Sequence, residues 1–218
     1  GIVESVTAIP SGAEDQVYIS VKRTINSATV RHIVYLKSTY FNDDVTDAFF
    51  VDSGLTYSGS ATTSITGLNH LEGVTVTILA DGSAHADKTV SNGAITLDRS
   101  STKVHVGYGY TSSLETLRME AGAEDGIAQG KIKRIHGVTA RFFQTVGAEL
   151  GPDTDNLDRL PFRDSSMAMD EAVPLFTGDK EISFPSGYDN DAKIVIRQTQ
   201  PLPMTILAIM RRSNTFDA

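Results

Sequence analysis

Two glycine turns constrain this chain more than any other feature. Val74-Thr75-Val76-Thr77-Ile78-Leu79-Ala80 alternates in character and runs into Asp81-Gly82, and Val90-Ser91-Asn92-Gly93 stands directly before Ala94-Ile95-Thr96-Leu97. Asp-Gly and Asn-Gly accept the left-handed backbone that a two-residue hairpin turn requires. Alternation with a period of two is the pattern of a half-buried strand. Lys103-Val104-His105-Val106-Gly107-Tyr108 continues the series. Short strands joined in this way predict a small β-barrel or meander over residues 66–112.

The same reading extends to both sides. Val17-Tyr18-Ile19-Ser20-Val21-Lys22 alternates, and Thr29-Val30-Arg31-His32-Ile33-Val34-Tyr35-Leu36 is β-branched and aromatic enough to pair with it across Asn26-Ser27. This hairpin belongs to an N-terminal β segment over residues 1–65. Ala48-Phe49-Phe50-Val51 is a short apolar run there, and Ser53-Gly54 and Ser58-Gly59-Ser60 punctuate the residues after it.

Residues 113–218 predict a sandwich-like C-terminal β module with long loops. Its strands are expected around residues 131–135, 138–145, 180–184, 194–197 and 204–210. Residues 150–170, rich in Asp, Pro and Asn, are expected to cross the surface. Pro201-Leu202-Pro203 removes two ladder donors, so the last strand is expected to start after it. Residues 119–130, with Gly122, Gly126 and Gly130, predict a linker or extended loop, while Leu114-Glu115-Thr116-Leu117-Arg118-Met119 also admits one or two helical turns. The expected fold class is all-β, in two or three small antiparallel modules.

Composition narrows the function classes. The chain has 218 residues and no cysteine, so its core needs no disulfides and thiolate metal sites are excluded. Its longest apolar run, Ile206-Leu207-Ala208-Ile209-Met210, is far short of the roughly 20 residues of a membrane helix, and no membrane anchor is expected. The net charge of -8 is spread along the chain. Specific nucleic-acid readers need clustered Lys and Arg, whereas Arg211-Arg212 and the group Lys131, Lys133, Arg134 are small enough to be solvated faces. The sequence opens at Gly1 in β-like residues, without an initiator Met or a signal-peptide pattern, and is expected to be truncated from a longer chain.

Little in the chain reads as catalytic. Neither the Gly-x-Ser-x-Gly nucleophile elbow nor a glycine-rich phosphate cradle opening a helix is present, and Gly107-Tyr108-Gly109 lies in strand-like sequence. Among the five histidines, His70 and Glu72 sit two apart between Gly67 and Gly73. His85 and Asp87 sit two apart on an expected strand, sharing a face, and His105 lies two strands on. Converging N and O ligands suit zinc or another divalent ion, which frames a metal-dependent hydrolase on His70, Glu72, His85 and Asp87. The plainer reading makes His70 and Glu72 corner residues, hydrogen-bonded at the start of the small β domain, and leaves the others as strand side chains.

Asp43-Asp44-x-x-Asp47 and Asp153-x-Asp155-x-x-Asp158 lack the register and distal Glu of a calcium loop. Tyr57, Tyr108 and Tyr110 frame a sugar-stacking platform, although in a chain without tryptophan packing accounts for them better. No residue is assigned a catalytic, cofactor-binding or metal-ligating role. No cofactor is expected, and the chain is read as no enzyme.

A resemblance runs in order along nearly the whole chain. It is carried by Val3-Glu4-Ser5-Val6 leading to Val21-Lys22-Arg23-Thr24-Ile25, by Phe49-Phe50-Val51-Asp52-Ser53-Gly54-Leu55-Thr56-Tyr57, and by Gly67-Leu68-Asn69-His70-Leu71-Glu72-Gly73 with Leu79-Ala80-Asp81-Gly82. Gly126-Ile127-Ala128-Gln129-Gly130-Lys131, Leu175-Phe176-Thr177-Gly178-Asp179 and Ile196-Arg197-Gln198-Thr199-Gln200-Pro201-Leu202-Pro203 complete it. Together these stretches resemble the C-terminal part of the tail-nozzle proteins of short-tailed bacteriophages, also called tail-hub or packaged-DNA stabilisation proteins. In that family the region matching residues 66–110 is similar to the first catalytic-cysteine half-domain of ubiquitin-activating enzymes. Without a cysteine, that likeness implies fold and no activity.

The resemblance implies a non-enzymatic virion structural protein of a phage or prophage, made in the bacterial host cytoplasm and located in the virion tail. Its full-length form would be an oligomer, a hexameric ring that contacts other phage tail proteins and passes double-stranded DNA non-specifically during DNA ejection. A mildly acidic wall would repel phosphate and let DNA slide. The alternative is a β-rich receptor- or glycan-binding module of a phage or bacterial surface structure.

Overall fold

Three tight turns organise the N-terminal half. Asn26-Ser27, Asp81-Gly82 and Asn92-Gly93 have positive φ at both central residues, 45° and 65°, 47° and 75°, 53° and 66°, the geometry whose twist matches that of flanking strands. The computed structural model describes residues 1–12, 14–120, 128–184 and 187–216. Its contacts divide the chain into two units, Gly1–Tyr110 and Thr111–Ala218. Among the described residues strand makes up about 59% and helix about 3%, in four antiparallel sheets, so the chain is all-β. Among the described residues no helix is long and apolar enough to cross a membrane.

In unit 1 the strands are β1 (Ile2–Ser11), β2 (Glu14–Ile25), β3 (Ala28–Tyr35), β4 (Asp52–Thr66), β5 (Thr75–Ala80), β6 (Ser83–Thr89) and β7 (Ala94–Tyr108), with short 3₁₀ turns at Val45–Asp47 and Asn69–Leu71. β1, β2 and β3 form one sheet in that order, and the other sheet runs β4–β7–β5–β6. The hairpin read at Asn26-Ser27 is present, with Ile25 opposite Ala28.

β4 is longer than its Ser- and Gly-rich sequence suggests. It pairs with the equally long β7 through register shifts between Asp52 and Leu55 and between Ser58 and Ser64, which absorb the residues read as punctuation. Leu68, Leu71, Val76, Ile78, Ile95, Val104 and Val106 build the core, joined by Ile25 from β2. β4 contributes to the same sheet as β5–β7, so this unit spans the 65/66 position where the sequence reading divides the chain.

Unit 2 contains β8 (Ser112–Glu115), β9 (Ile132–Thr145), β10 (Glu149–Gly151), β11 (Asp158–Arg159), β12 (Phe176–Ser183), β13 (Val195–Gln198) and β14 (Thr205–Phe216). One sheet runs β11–β10–β13–β8 and the other β12–β9–β14. Phe142, Phe162 and Phe176 stack edge to face at 5.8 and 5.9 Å in its core. β14 starts just after the two prolines, as expected.

Residues 114–119 form no helical turn. β13 takes the backbone of Leu114 and Glu115 into its ladder, and Leu117 stands exposed rather than on a buried helical face. Of the expected linker, residues 121–127 lie outside the described residues, and with them Gly122 and Gly126-Ile127 of the resemblance.

Candidate functional site

His70 and Glu72 flank the end of the Asn69–Leu71 turn and act in two different directions. The Glu72 carboxylate accepts the backbone N–H of Asn92 at 3.0 Å and of Gly93 at 2.8 Å. A tight turn leaves such donors without a ladder partner, so Glu72 fixes the turn that precedes β7. Gly93 suits this place because its φ of 66° is left-handed and a Cβ, 2.1 Å from Asn69 Oδ1, would make the Asn69 side chain shift. His70 faces the other way, and its Nε2–H donates to the Ser53 carbonyl at 2.9 Å. These are the corner hydrogen bonds that the plainer reading calls for.

Behind His70 lies a polar joint between the β1–β3 sheet and the start of β4. The His32 ring meets the His70 ring edge-on at 5.7 Å. Arg23, with its side chain 10% exposed, pairs with Asp52 through Nη2 and lies over the Tyr108 ring at 5.1 Å. Ser53 has a left-handed backbone, φ 47°, which costs a residue with a Cβ on the order of 1 kcal/mol. Four buried side-chain atoms find no hydrogen-bond partner among the described residues, and Arg23 Nε, His32 Nδ1 and Ser53 Oγ, all in this joint, are three of them. Burial, then His70 and Arg23, hold the His32 pKa below its ordinary value against the pull of Asp52.

A parity rule marks this joint in the sequence. Val17, Ile19, Val21, Arg23 and Ile25 share one face of β2, and Val30, His32 and Val34 share the same face of β3. A guanidinium and an imidazole therefore stand at positions where the pattern supplies aliphatic side chains. Asp52 and Ser53, which complete the joint, carry no comparable signal.

The other two histidines of unit 1, His85 and His105, have partners of their own. β6 holds one more residue than β5 between the pairs Ile78–His85 and Val76–Lys88. This bulge turns Lys88 rather than Asp87 to the face of His85 and separates the pair expected to share it. His85 Nδ1–H donates to the Ala86 carbonyl at 2.7 Å, its Nε2 accepts the Asp98 N–H at 3.0 Å, and Lys88 pairs with Asp98 at 2.6 Å. His105, 1% exposed, donates from Nε2 to the Thr46 carbonyl at 2.9 Å, and its Nδ1 accepts the Thr56 hydroxyl at 2.8 Å. Burial pushes the His105 pKa down; the Thr46 bond opposes this, and Lys37 and Lys103 add to it. Its ring meets Phe49 at 5.4 Å.

The acidic clusters close turns. Asp44 caps the Val45–Asp47 turn by accepting the Thr46 N–H, which holds its pKa low, and Asp47 pairs with Lys103. Asp153 accepts from the Asp155 and Asn156 backbone and from Asn156 Nδ2. Among the described residues no group of three or more His, Asp or Glu side chains is arranged to hold a metal ion. Tyr57 and Tyr108 pack against the unit 1 core.

The basic group of unit 2 is divided. Lys133 is 2% exposed and donates to the Asn190 carbonyl at 2.7 Å, while Arg134 lies over Tyr188. A shallow cleft of about 370 Å³ there is lined by Lys133, Asp153, Asn156, Tyr188, Asp189 and Lys193, among others. No family model matches the chain, and no curated protein matches it.

Proposed function

We propose that the chain is a non-enzymatic structural component of a short-tailed phage tail, part of the nozzle or hub through which DNA passes, and that it works by assembling with copies of itself. The observation that carries this reading is the β1–β3 sheet. Near Ile25 and Val30 the sheet is seated on the unit 1 core. Farther out, one face leaves Val3 and Val6 57% and 60% exposed, and the opposite face leaves Ile33 and Tyr35 80% and 53% exposed. Apolar side chains left bare on both faces of the outer part of one sheet are the kind of surface that marks an interface.

The occupant is a neighbouring copy. Among the described residues β1 and β3 are the outer strands of the sheet, and contact between the β1 side of one copy and the β3 side of the next is heterologous, which closes into a ring when the rotation closes. The resemblance to nozzle proteins supplies the tail and the hexamer. The net charge of -8 suits a wall along which phosphate slides without being held.

Light scattering on the complete gene product tests this reading, with Val3→Asp and Val6→Asp on the bare face; both positions are already exposed, so folding is spared. The unmodified product is expected to form a ring and the double variant a monomer, with antibody label at the virion tail. A product that stays monomeric and unlabelled on particles defeats the reading.

The unit 2 cleft favours a second reading, a glycan-binding module, because Tyr188 is 63% exposed beside Asp153, Asn156 and Lys193. Aromatic faces and planar polar groups suit sugar rings. Glycan-array binding lost in Tyr188→Ala supports it, and an array without hits removes it.

A further inference from the structure

Two contacts of different chemistry hold the β1–β3 sheet within unit 1. At the hairpin tip, Ile25 is buried and Val30 packs on the core, a contact indifferent to pH. Along the same face, Arg23 and His32 meet Asp52, Ser53 and His70. We propose that this second contact is an acid-released latch: a proton arriving at His32 opens the joint and loosens the sheet outward from its apolar anchor at Ile25 and Val30.

The groups around His32 make the direction of the effect definite. His70 faces it from the 3₁₀ turn, Arg23 from β2 and Asp52 from the start of β4, and Tyr108 of β7 lies against Arg23. With the His32 imidazole neutral, the charges acting on it are the balanced Arg23–Asp52 pair. One proton on His32 sets two cations against one carboxylate that is already engaged.

The orphaned nitrogen adds to this. His32 Nδ1 is buried with no acceptor among the described residues, so protonation would create a buried cationic N–H without a partner, which is costlier than leaving a neutral nitrogen unpaired. Opening the joint delivers that donor to water.

The linkage sign agrees. The His32 pKa is depressed in the closed state, so the open state binds the proton better. Closure is fully favoured above the ordinary histidine pKa of about 6.5 and weakens as pH falls through it. Local opening of this kind is read by amide exchange.

Hydrogen exchange on the chain at pH 7.5 and 5.5, corrected for intrinsic rates, tests the latch. Amides of residues 21–25 and 30–34 are expected to lose protection by up to about tenfold, the ceiling for one ordinary imidazole that titrates only when open. β9 and β13 are expected not to change. His32→Gln should abolish the loss. An NMR titration of the His32 ring in the unmodified chain should give a midpoint below the ordinary value, and it decides alone if the variant does not fold. Equal protection at both pH values, a loss that persists in His32→Gln, or a ring midpoint at or above the ordinary value overturns the latch. So does a loss centred on β5 and β7 that vanishes in His105→Gln instead.

Discussion

The two units solve the same packing problem with different polar chemistry. Each closes an apolar cluster between antiparallel strands. Among the described residues of unit 2 the buried polar side chains are an amine, a hydroxyl and an amide, and each is engaged. Lys133 donates to Asn190, Thr145 bonds across to Thr205, and Gln198 Nε2 donates to the Val146 and Gly147 carbonyls while its Oε1 accepts the Gln200 N–H. In unit 1 the buried polar residues among those described are His105 and Ser101, and the partly buried joint at Arg23, His32 and Ser53 leaves three atoms without partners. Histidine alone changes charge between pH 5 and 8 at its ordinary pKa, so burial of His105 and partial burial of His32 make unit 1 the one expected to respond to acid.

If unit 2 is held chiefly by its aromatic stack, Phe142→Ala should be the most damaging change there. Phe142 is fully buried between Phe162 and the β9 neighbours, and emptying such a site costs about 3–5 kcal/mol. Urea denaturation followed by a unit 2 probe reads the loss. A cost below about 1 kcal/mol would mean that polar bonds rather than rings carry this core.

How far the sequence foretells this architecture depends on which physical signal a residue emits. Turn chemistry is local, so Asp81-Gly82 and Asn26-Ser27 mark two real hairpins and Asn92-Gly93 marks a real tight turn, closed by a single Ser91–Ala94 bridge. Two prolines before Thr205 mark a real strand start for the same reason. Bulges emit almost nothing. The extra residue in β6 that parts His85 from Asp87, and the register shifts that let β4 run through Gly54 and Gly59, depend on partner strands that are distant in sequence. The corner role of Glu72 is legible from its bracketing glycines, but the donors it serves at Asn92 and Gly93 lie 20 and 21 residues on. The joint is half visible: Arg23 and His32 violate an apolar parity, while Asp52 and Ser53 violate nothing.

Glu72 offers a test of the Asn92-Gly93 turn. Glu72→Ala strips the acceptor from two turn amides, and leaving such donors unsatisfied is expected to cost about 1–2 kcal/mol of unit 1 stability with none of unit 2. Glu72→Gln, which keeps one acceptor oxygen, should recover part of it. Thermal unfolding with a probe in each unit measures both. Equal losses in the two units would show that they do not unfold separately.

Acid separates the units by less, but in a defined window. His105 has its pKa lowered first by burial, so its contribution is complete above the ordinary value of about 6.5 and drains away as pH falls toward the lowered one. By pH 5.5 the loss from this residue is at most about 1.4 kcal/mol. His136 of unit 2 is exposed. The lowered groups there include Asp153, Asp164 and Asp179, held down by hydrogen bonds from Asn156, Ser166 and Arg141. Their contribution is present above the ordinary carboxylate value of about 4 and is lost only below it. Denaturant midpoints between pH 7.5 and 5 should therefore fall for unit 1 and stay level for unit 2, with His105→Gln flattening part of the unit 1 slope.

Lys133 should show the smallest change, and the contrast with Phe142 rests on it. Its ammonium is buried against a single carbonyl, so the bond gained is offset by the water given up. Lys133→Met keeps the length and apolar stem of the side chain, leaves the Asn190 carbonyl without this donor, and removes a desolvated charge. These effects oppose each other, and replacing buried charged groups by apolar ones of similar volume is often neutral. The net change is expected within about 1 kcal/mol of zero. The backbone pair between Lys133 and Asp189, at 2.7 and 2.8 Å, survives the substitution and holds that edge in place. A loss approaching that of Phe142→Ala would reverse the assignment. The ammonium would then be organising the loop around Asn190, and unit 2 would depend on a buried charge as unit 1 depends on its imidazoles.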